Sequence, residues 1–118
     1  SISLQEKIEM CRSNGLADII IDPGIGFGKS VTHNLSLLRQ LKALTQGDCP
    51  VLVGTSRKSF IGHITGASVQ DRLGGSIASS LYAVNQGAEI IRCHDIKEMK
   101  QALQVWQSIE GSTYSMCR

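Results

Sequence analysis

The sequence has 118 residues and a mass of 12.7 kDa, which is the size of one globular domain. Twelve Lys and Arg residues against ten Asp and Glu residues leave a formal charge of +2, and the basic residues are scattered along the chain. This pattern excludes the basic face of a nucleic-acid-binding protein, and no apolar run reaches the roughly 18 residues of a membrane span. We expect one domain over residues 1–110 and a tail over 111–118.

The apolar residues change period repeatedly, which predicts helices alternating with strands. Helical spacing predicts a helix over Ser3–Ser13, and the β-branched run Ile19–Ile21 predicts a strand that ends at Asp22. A second helix, closed by Gly47, is marked by leucines at helical spacing: Leu38, Leu41 and Leu44.

The second half of the chain repeats this alternation. Val51–Val53 and Glu89–Cys93 predict two further strands. The helix between these strands is marked by Val69, Leu73, Ile77, Leu81 and Val84. Asp95 is expected to cap a last helix, with Glu98 three residues on. One side of this helix is lined by Ile96, Met99, Leu103 and Trp106.

These elements predict an α/β fold made of one helix and three strand–helix units. Strands that are apolar on both faces are typical of a parallel sheet covered by helices. Three such strands alone leave two open edges, so we expect them to belong to a larger sheet. Because an eight-stranded (β/α) barrel needs roughly 200 to 250 residues, the chain would supply the last three units of a TIM barrel.

Polar residues follow each predicted strand at its carboxyl end, where parallel α/β folds bind ligands. Asp22 follows the first strand, the segment 56–58 (Ser-Arg-Lys) follows the second, and Arg92 and His94 lie at the end of the third. Strand alternation predicts that Arg92 and His94 point the same way, while Ile91 and Cys93 face the helices. An acid, several cations and a histidine together favour an anionic ligand with a polar heterocycle.

The glycine-rich segment after Asp22 does not predict a nucleotide-binding loop. A P-loop requires glycine six residues before Lys29–Ser30, where this sequence has Pro23. Alternating glycines instead permit close approach of the backbone to a flat ligand, and Phe27 between them is able to stack on a ring.

Four motifs in order carry a resemblance to a known family. They are Asp22–Lys29 (DPGIGFGK), Gly54–Gly62 (GTSRKSFIG), Asp71–Ser76 (DRLGGS) and Ile91–Asp95 (IRCHD). Together they resemble the carboxyl-terminal half of dihydropteroate synthase, which has a TIM-barrel fold. The resemblance implies a folate-pathway transferase that condenses 6-hydroxymethyl-7,8-dihydropterin diphosphate with p-aminobenzoate to give dihydropteroate and diphosphate.

The resemblance also implies roles for individual residues. Asp22 and Lys58 match the carboxylate and the lysine that bind the pterin, and Gly54 lets the pterin lie close to the backbone. Arg92 and His94 match the pair that binds the diphosphate; with Lys58 they form the expected catalytic set. The alternatives are a turn or cap role for Asp22, a solvated Lys58, and an ion pair with Asp95 or a neighbouring acid for the Arg92–His94 pair.

The p-aminobenzoate site is expected to include Phe27, Arg57 and Ser59. Ser59 lies where a helix can begin, so its hydroxyl and nearby backbone N–H groups suit a carboxylate, and its alternative role is a helix cap. Four residues are assigned to structure or surface rather than to the site: Asp71, Arg72, His33 and His63.

No residue of this chain is expected to bind a metal, and the four cysteines form no C-x-x-C pair, which favours free thiols in a reducing cytoplasm. The resemblance implies a magnesium ion held by residues of an absent amino-terminal half, a homodimer formed through the late helices, and a pocket that sulfonamides target. We therefore expect the chain alone to be inactive. Two alternatives stay open: a pterin-binding corrinoid methyltransferase and a non-catalytic interaction fragment.

Overall fold

A computed structural model describes residues 24–25, 30–47 and 49–111 of the protein. Its elements in chain order are α1 (Val31–Arg39), α2 (Leu41–Thr45), β1 (Leu52–Val53), α3 (Ser59–Thr65), α4 (Leu73–Asn85), β2 (Ile90–Ile91) and α5 (Ile96–Glu110). A short 3-10 turn over Val69–Asp71 precedes α4. Of the helices in the described ranges, none has the length and apolar character to cross a membrane.

Several predictions fall outside these described residues. They concern the helix at Ser3–Ser13, the strand at Ile19–Ile21, the pterin ligand Asp22, the ring of Phe27 and the tail after Gly111.

The two strands form a parallel pair, which the helical segments between them connect. Leu52 lies opposite Ile90 and Val53 opposite Ile91. The N–H of Arg92 continues the ladder by donating to the carbonyl of Val53 at 3.0 Å. Both strands are shorter than the apolar runs that predict them, but their order and parallel direction agree with the predicted α/β fold.

The core lies between this sheet and the helices that cover it. Val53 and Leu41 are completely buried. The buried apolar cluster consists of Ile25, Leu38, Leu41, Cys49, Val51, Val53, Phe60, Ile61, Ala83 and Ala88. Four of these ten residues, Leu38, Leu41, Val51 and Val53, come from the predicted apolar runs. The other six come from the connecting segments and from helix positions that the apolar pattern did not mark, and burial of all ten accounts for the layered arrangement.

The predicted second helix is divided into α1 and α2. Gln40 lies between them with φ −100° and ψ 6°, outside the helical range. Its N–H donates to the carbonyls of Ser36 and Leu37, and its own carbonyl accepts from Ala43. Leu38 at the end of α1 and Leu41 at the start of α2 lie in the same core.

The most buried positions of α4 lie beside the predicted ones. Val69 and Leu73 are 46% and 37% exposed, while Ile77, Leu81 and Val84 are half-buried. The fully buried positions of α4 are Ser76, Ser80 and Ala83. Small side chains allow the helix to approach the backbone that follows β1 closely. The hydroxyls are satisfied there by hydrogen bonds, so their burial costs little.

Helix α5 agrees with the prediction along most of its length but not at its start. Met99 is buried, whereas Ile96 is 67% exposed and does not line the buried side. Asp95 occupies the N-cap position, yet its side chain makes no capping hydrogen bond. The predicted capping role is wrong because the carboxylate instead faces Arg57, as described below.

Candidate functional site

The register of the strand pair continues beyond the strands and brings their carboxyl ends together. Leu52 and Ile90 are partners in the sheet. Ser56 and His94, with the same sequence separation of 38 residues, are joined by hydrogen bonds. The same separation relates Arg57 to Asp95, which form an ion pair. The predicted convergence of these two segments on one edge of the sheet is therefore observed.

Arg92 lies directly over Gly54. A Cβ atom built on Gly54, which is buried, would be 2.8 Å from one terminal nitrogen of the guanidinium, 3.0 Å from Nε and 3.1 Å from Cζ. Only glycine leaves room for this contact. Arg92 itself is exposed, and a guanidinium in this place presents a planar set of N–H donors to an anion at the edge of the sheet.

His94 is held by Ser56. The backbone N–H of His94 donates to the Ser56 hydroxyl oxygen at 3.2 Å, and the ring nitrogen Nδ1 lies 2.9 Å from the same oxygen. Ser56 is 6% exposed, so its hydroxyl is fixed by the surrounding chain. The contact fixes the imidazole ring and leaves Nε2 as the ring nitrogen that can face a ligand.

Exposure alternates at the end of β2 as the strand pattern predicts. Arg92 and His94 are exposed, whereas Ile91 and Cys93 are half-buried. Partial burial, together with the negative charge of Asp95, raises the pKa of the Cys93 thiol. Cys93 is consequently a neutral thiol at neutral pH rather than a reactive thiolate.

Lys58 connects the loop after β1 with the glycine-rich segment. It occupies the N-cap position of α3, and its Nζ donates to the backbone carbonyl of Ile25. Ile25 is buried and lies three residues after Asp22 in the sequence. The contact brings Ile25 next to the loop that carries Lys58.

Arg57 faces Asp95 rather than an open pocket. Its Nε and one terminal nitrogen donate to the two carboxylate oxygens at 3.4 and 2.9 Å. Hydrogen bonding to the Asp95 carboxylate is the main reason why the pKa of Arg57 is raised. The pair joins the ends of β1 and β2, and the part of Arg57 in p-aminobenzoate binding stays a prediction.

Ser59 is the first residue of α3 and is exposed, while the N-cap position belongs to Lys58. The alternative role of Ser59 as a helix cap is therefore wrong. Its predicted part in binding p-aminobenzoate is not tested by this geometry.

The start of α4 contributes residues that the sequence interpretation did not assign to the site. The hydroxyl of Ser76 accepts from the backbone N–H of Arg57 at 2.8 Å, and Arg72 donates to the carbonyl of Arg57 at 3.0 Å. Arg72 was expected to have a structural role, which these contacts support. The motif Asp71–Ser76 was the available signal, but its contact with the segment 56–58 is visible only in the folded chain.

No metal-binding cluster is present in the described ranges: no three His, Cys, Asp or Glu residues there come close enough together to hold an ion. Of the cysteines in these ranges, Cys49 is buried and Cys93 is half-buried.

Comparisons with known proteins identify the relatives of this chain. The family model described as "Pterin binding enzyme" matches residues 1–94. The dihydropteroate synthase of Escherichia coli K12 is 45% identical over 102 residues, which are 85% of this chain and 36% of that protein. The Haemophilus influenzae dihydropteroate synthase is 45% identical over 107 residues, 89% of this chain and 39% of its own length. The chain thus spans less than two-fifths of these curated relatives.

Solved structures give the same result for the fold. Yersinia pestis dihydropteroate synthase superposes with a TM-score of 0.83 at 41% identity, over 92% of this chain and 52% of that one. The Thermus thermophilus enzyme in complex with 4-aminobenzoate gives 0.85 at 40% identity, over 90% and 42%. The predicted resemblance is confirmed, as is the α/β fold as part of a TIM barrel.

Proposed function

Because the chain belongs to the pterin-binding enzyme family, we propose that it forms the carboxyl-terminal part of a dihydropteroate synthase. The complete enzyme is a transferase of folate biosynthesis that joins 6-hydroxymethyl-7,8-dihydropterin diphosphate to p-aminobenzoate. Relatives about 40% identical to this chain have been solved with 4-aminobenzoate and with 6HMPPP. Both substrates are small molecules, which suits a site at the carboxyl ends of barrel strands.

One observation carries the proposal: the shared register of β1 and β2. It sets Arg92 over Gly54 and His94 on Ser56, so that a guanidinium and an imidazole lie at one edge of the sheet. Two adjacent donors of this kind suit the oxygens of a diphosphate, which carries several negative charges.

The proposed pterin site lies beside these donors. Lys58 reaches the backbone of Ile25, so it stands where the glycine-rich segment and the loop after β1 meet. We assign Lys58, Gly54 and Asp22 to the pterin, with Asp22 accepting hydrogen bonds from the ring and amino N–H groups. The p-aminobenzoate site is assigned to Phe27, Arg57 and Ser59.

The proposed chemistry is substitution at the methylene carbon of the pterin. The C–O bond to the diphosphate breaks, its electron pair leaves with the oxygen, and the developing charge on the diphosphate is stabilised by Arg92 and His94. The electron-rich pterin spreads the positive charge on carbon. The amine lone pair of p-aminobenzoate then forms the C–N bond, and the amine proton is released to water. Most of the rate enhancement comes from positioning and charge stabilisation.

A magnesium ion, when bound, would neutralise part of the charge on the diphosphate. The described residues contain no group of ligands that fits it. We therefore assign its ligands to the amino-terminal part of the enzyme and derive no step of this chain's chemistry from it.

We further propose that the complete enzyme is a cytoplasmic homodimer that associates through its late helices and is inhibited by sulfonamides, which mimic p-aminobenzoate. The exposed apolar residues of α5 support the association. Val105 is 56% exposed and Ile109 78% exposed, near the end of the helix. A contact that covers both residues removes apolar surface from water.

The test is a steady-state assay of the full-length protein with both substrates. We expect formation of dihydropteroate and diphosphate at rates of about 1 to 10³ per second, and none from residues 1–118 alone. Release of diphosphate with no dihydropteroate formed when both substrates are present, or methyl transfer to a corrinoid, would contradict the proposal. Full-length protein that folds but neither binds pterin nor turns over would instead identify a non-catalytic interaction module.

A further inference from the structure

Arg57 has an unusual backbone conformation for its residue type. Its φ angle is +58°, and no other non-glycine residue in the described ranges has a positive φ. A residue with a Cβ atom adopts this left-handed conformation only when its surroundings impose it. The following residue is Lys58, so the backbone conformation of Arg57 sets the position and orientation of Lys58 at the start of α3.

Two hydrogen bonds from the start of α4 impose this conformation. The N–H of Arg57 donates to the hydroxyl of Ser76 at 2.8 Å, and its carbonyl accepts from a terminal nitrogen of Arg72 at 3.0 Å. Ser76 is 1% exposed, and its own hydroxyl donates to the carbonyl of Arg72 at 2.7 Å. Both backbone polar groups of Arg57 are therefore held by neighbouring residues of one motif.

The guanidinium of Arg72 is itself fixed by two further contacts. Its Nε donates to the carbonyl of Ala67 at 3.0 Å. It also packs against Gly62 in α3, where an added Cβ would overlap its terminal nitrogen and lie 2.8 Å from Cζ. One side chain thus joins the loop after β1, helix α3 and the connection to α4.

We propose that Arg72 and Ser76 are positioning residues for Lys58, and this inference rests on the proposed function. By holding Arg57 in the left-handed conformation, they fix the backbone from which Lys58 reaches towards Ile25. Without them Arg57 relaxes to a negative φ, which rotates the peptide unit between Arg57 and Lys58 and moves the amine out of the pterin site.

The test uses Arg72→Ala and Ser76→Ala in the full-length protein, with kinetics and thermal unfolding measured together. We expect each variant to raise the KM for the pterin diphosphate about tenfold, as for a misplaced binding group. Arg39→Ala should match the unmodified protein in both KM values and in its thermal midpoint. Arg39 is an exposed arginine at the end of α1, so this variant controls for the loss of one arginine side chain.

The decisive measurement repeats Arg72→Ala in a Lys58→Ala background. If Arg72 acts through Lys58, the second substitution leaves the KM for the pterin diphosphate unchanged. A further tenfold rise, or an Arg72→Ala enzyme with lower thermal stability but normal kinetics, would overturn the inference. Should Arg72→Ala fail to fold, Gly62→Ala displaces the same guanidinium and is expected to raise the same KM. Full-length unmodified protein without activity would instead refute the proposed function.

Discussion

The contact between Arg92 and Gly54 makes a sharp prediction for Gly54→Ala. Non-bonded carbon atoms normally lie about 3.5 to 4.0 Å apart. The added Cβ would stand 2.8 to 3.1 Å from three atoms of the guanidinium, so Arg92 has to shift by roughly 1 Å. The atoms in the way form the end of a flexible side chain, and Gly54 does not have a left-handed φ. Alanine is therefore compatible with the fold.

A displacement of this size at a group that binds the reacting diphosphate lowers kcat/KM about 10- to 100-fold. This loss corresponds to roughly 1.4 to 2.8 kcal/mol of transition-state stabilisation. The free energy of unfolding should change by no more than about 1 kcal/mol. The assay is dihydropteroate formation by the full-length protein, with urea unfolding of the same sample.

Gly74→Ala is the matched control. Gly74 lies in α4, and nothing stands within 4 Å of an added Cβ there. Alanine is a better helix former, so this variant should gain about 0.5 to 1 kcal/mol of stability and retain normal kinetics. In an Arg92→Ala background, the part of the Gly54→Ala effect that passes through Arg92 should disappear, and any remaining rise in the KM for the pterin diphosphate measures contact of the added methyl group with the pterin. A Gly54→Ala enzyme with unchanged kcat/KM would refute the assignment of Arg92 to the diphosphate.

Three further results are expected. Ser56→Ala removes the hydrogen bond that fixes the imidazole ring of His94 and should lower kcat about tenfold. An unchanged kcat in a correctly folded variant would argue against a role for this contact. Because the pKa of Cys93 is raised, iodoacetamide should alkylate Cys93 at pH 8 more slowly than it alkylates a cysteine peptide. Asp95→Asn should accelerate the alkylation of Cys93 by removing a nearby negative charge. Peptide mass spectrometry measures the rate, and equal rates for Cys93 and the cysteine peptide would contradict the environment described for this thiol. Finally, Ile109→Glu should shift the full-length protein from dimer to monomer in sedimentation, and an unaltered dimer would exclude this end of α5 from the interface.

The order of the elements was predictable because burial of apolar runs dominates the fold. Val51–Val53 is a short apolar run that contains β1, and the whole of α4 lies where the sequence predicted a helix. The buried face of α4 was not predictable by the same rule. Ser76 and Ser80 have polar side chains, which a hydrophobic pattern does not mark as buried. Their hydroxyls are satisfied by hydrogen-bond partners that come close only in the folded chain. Hydrophobic periodicity therefore identified the helix and its half-buried residues Ile77, Leu81 and Val84, but not the small residues beside them that are fully buried.

For the site, residue types and strand ends sufficed to select Arg92 and His94 as neighbours, because alternation along a strand is a local rule. Strand alternation could not predict which residues form hydrogen bonds with the site residues. Ser56 contacts His94, and Ser76 contacts Arg57, through pairings that depend on how separate segments pack. For Asp95 the local rule gave a wrong result. Its position before α5 predicts a helix cap, but its carboxylate instead accepts hydrogen bonds from the guanidinium of Arg57, which follows the neighbouring strand.

The contacts Ser56–His94 and Arg57–Asp95 share one sequence offset of 38 residues, so a single feature of the sheet fixes both. The sheet pairs Val53 with Ile91, and both the Ser56–His94 and the Arg57–Asp95 contacts follow from that single register. A slip of β1 by one residue would reverse the faces of β1 and move Gly54 away from Arg92. Burial of Val51 and Val53 opposes this slip, because it would expose both side chains. The apolar pattern that stabilises the sheet therefore also sets the distances between the charged groups at its edge.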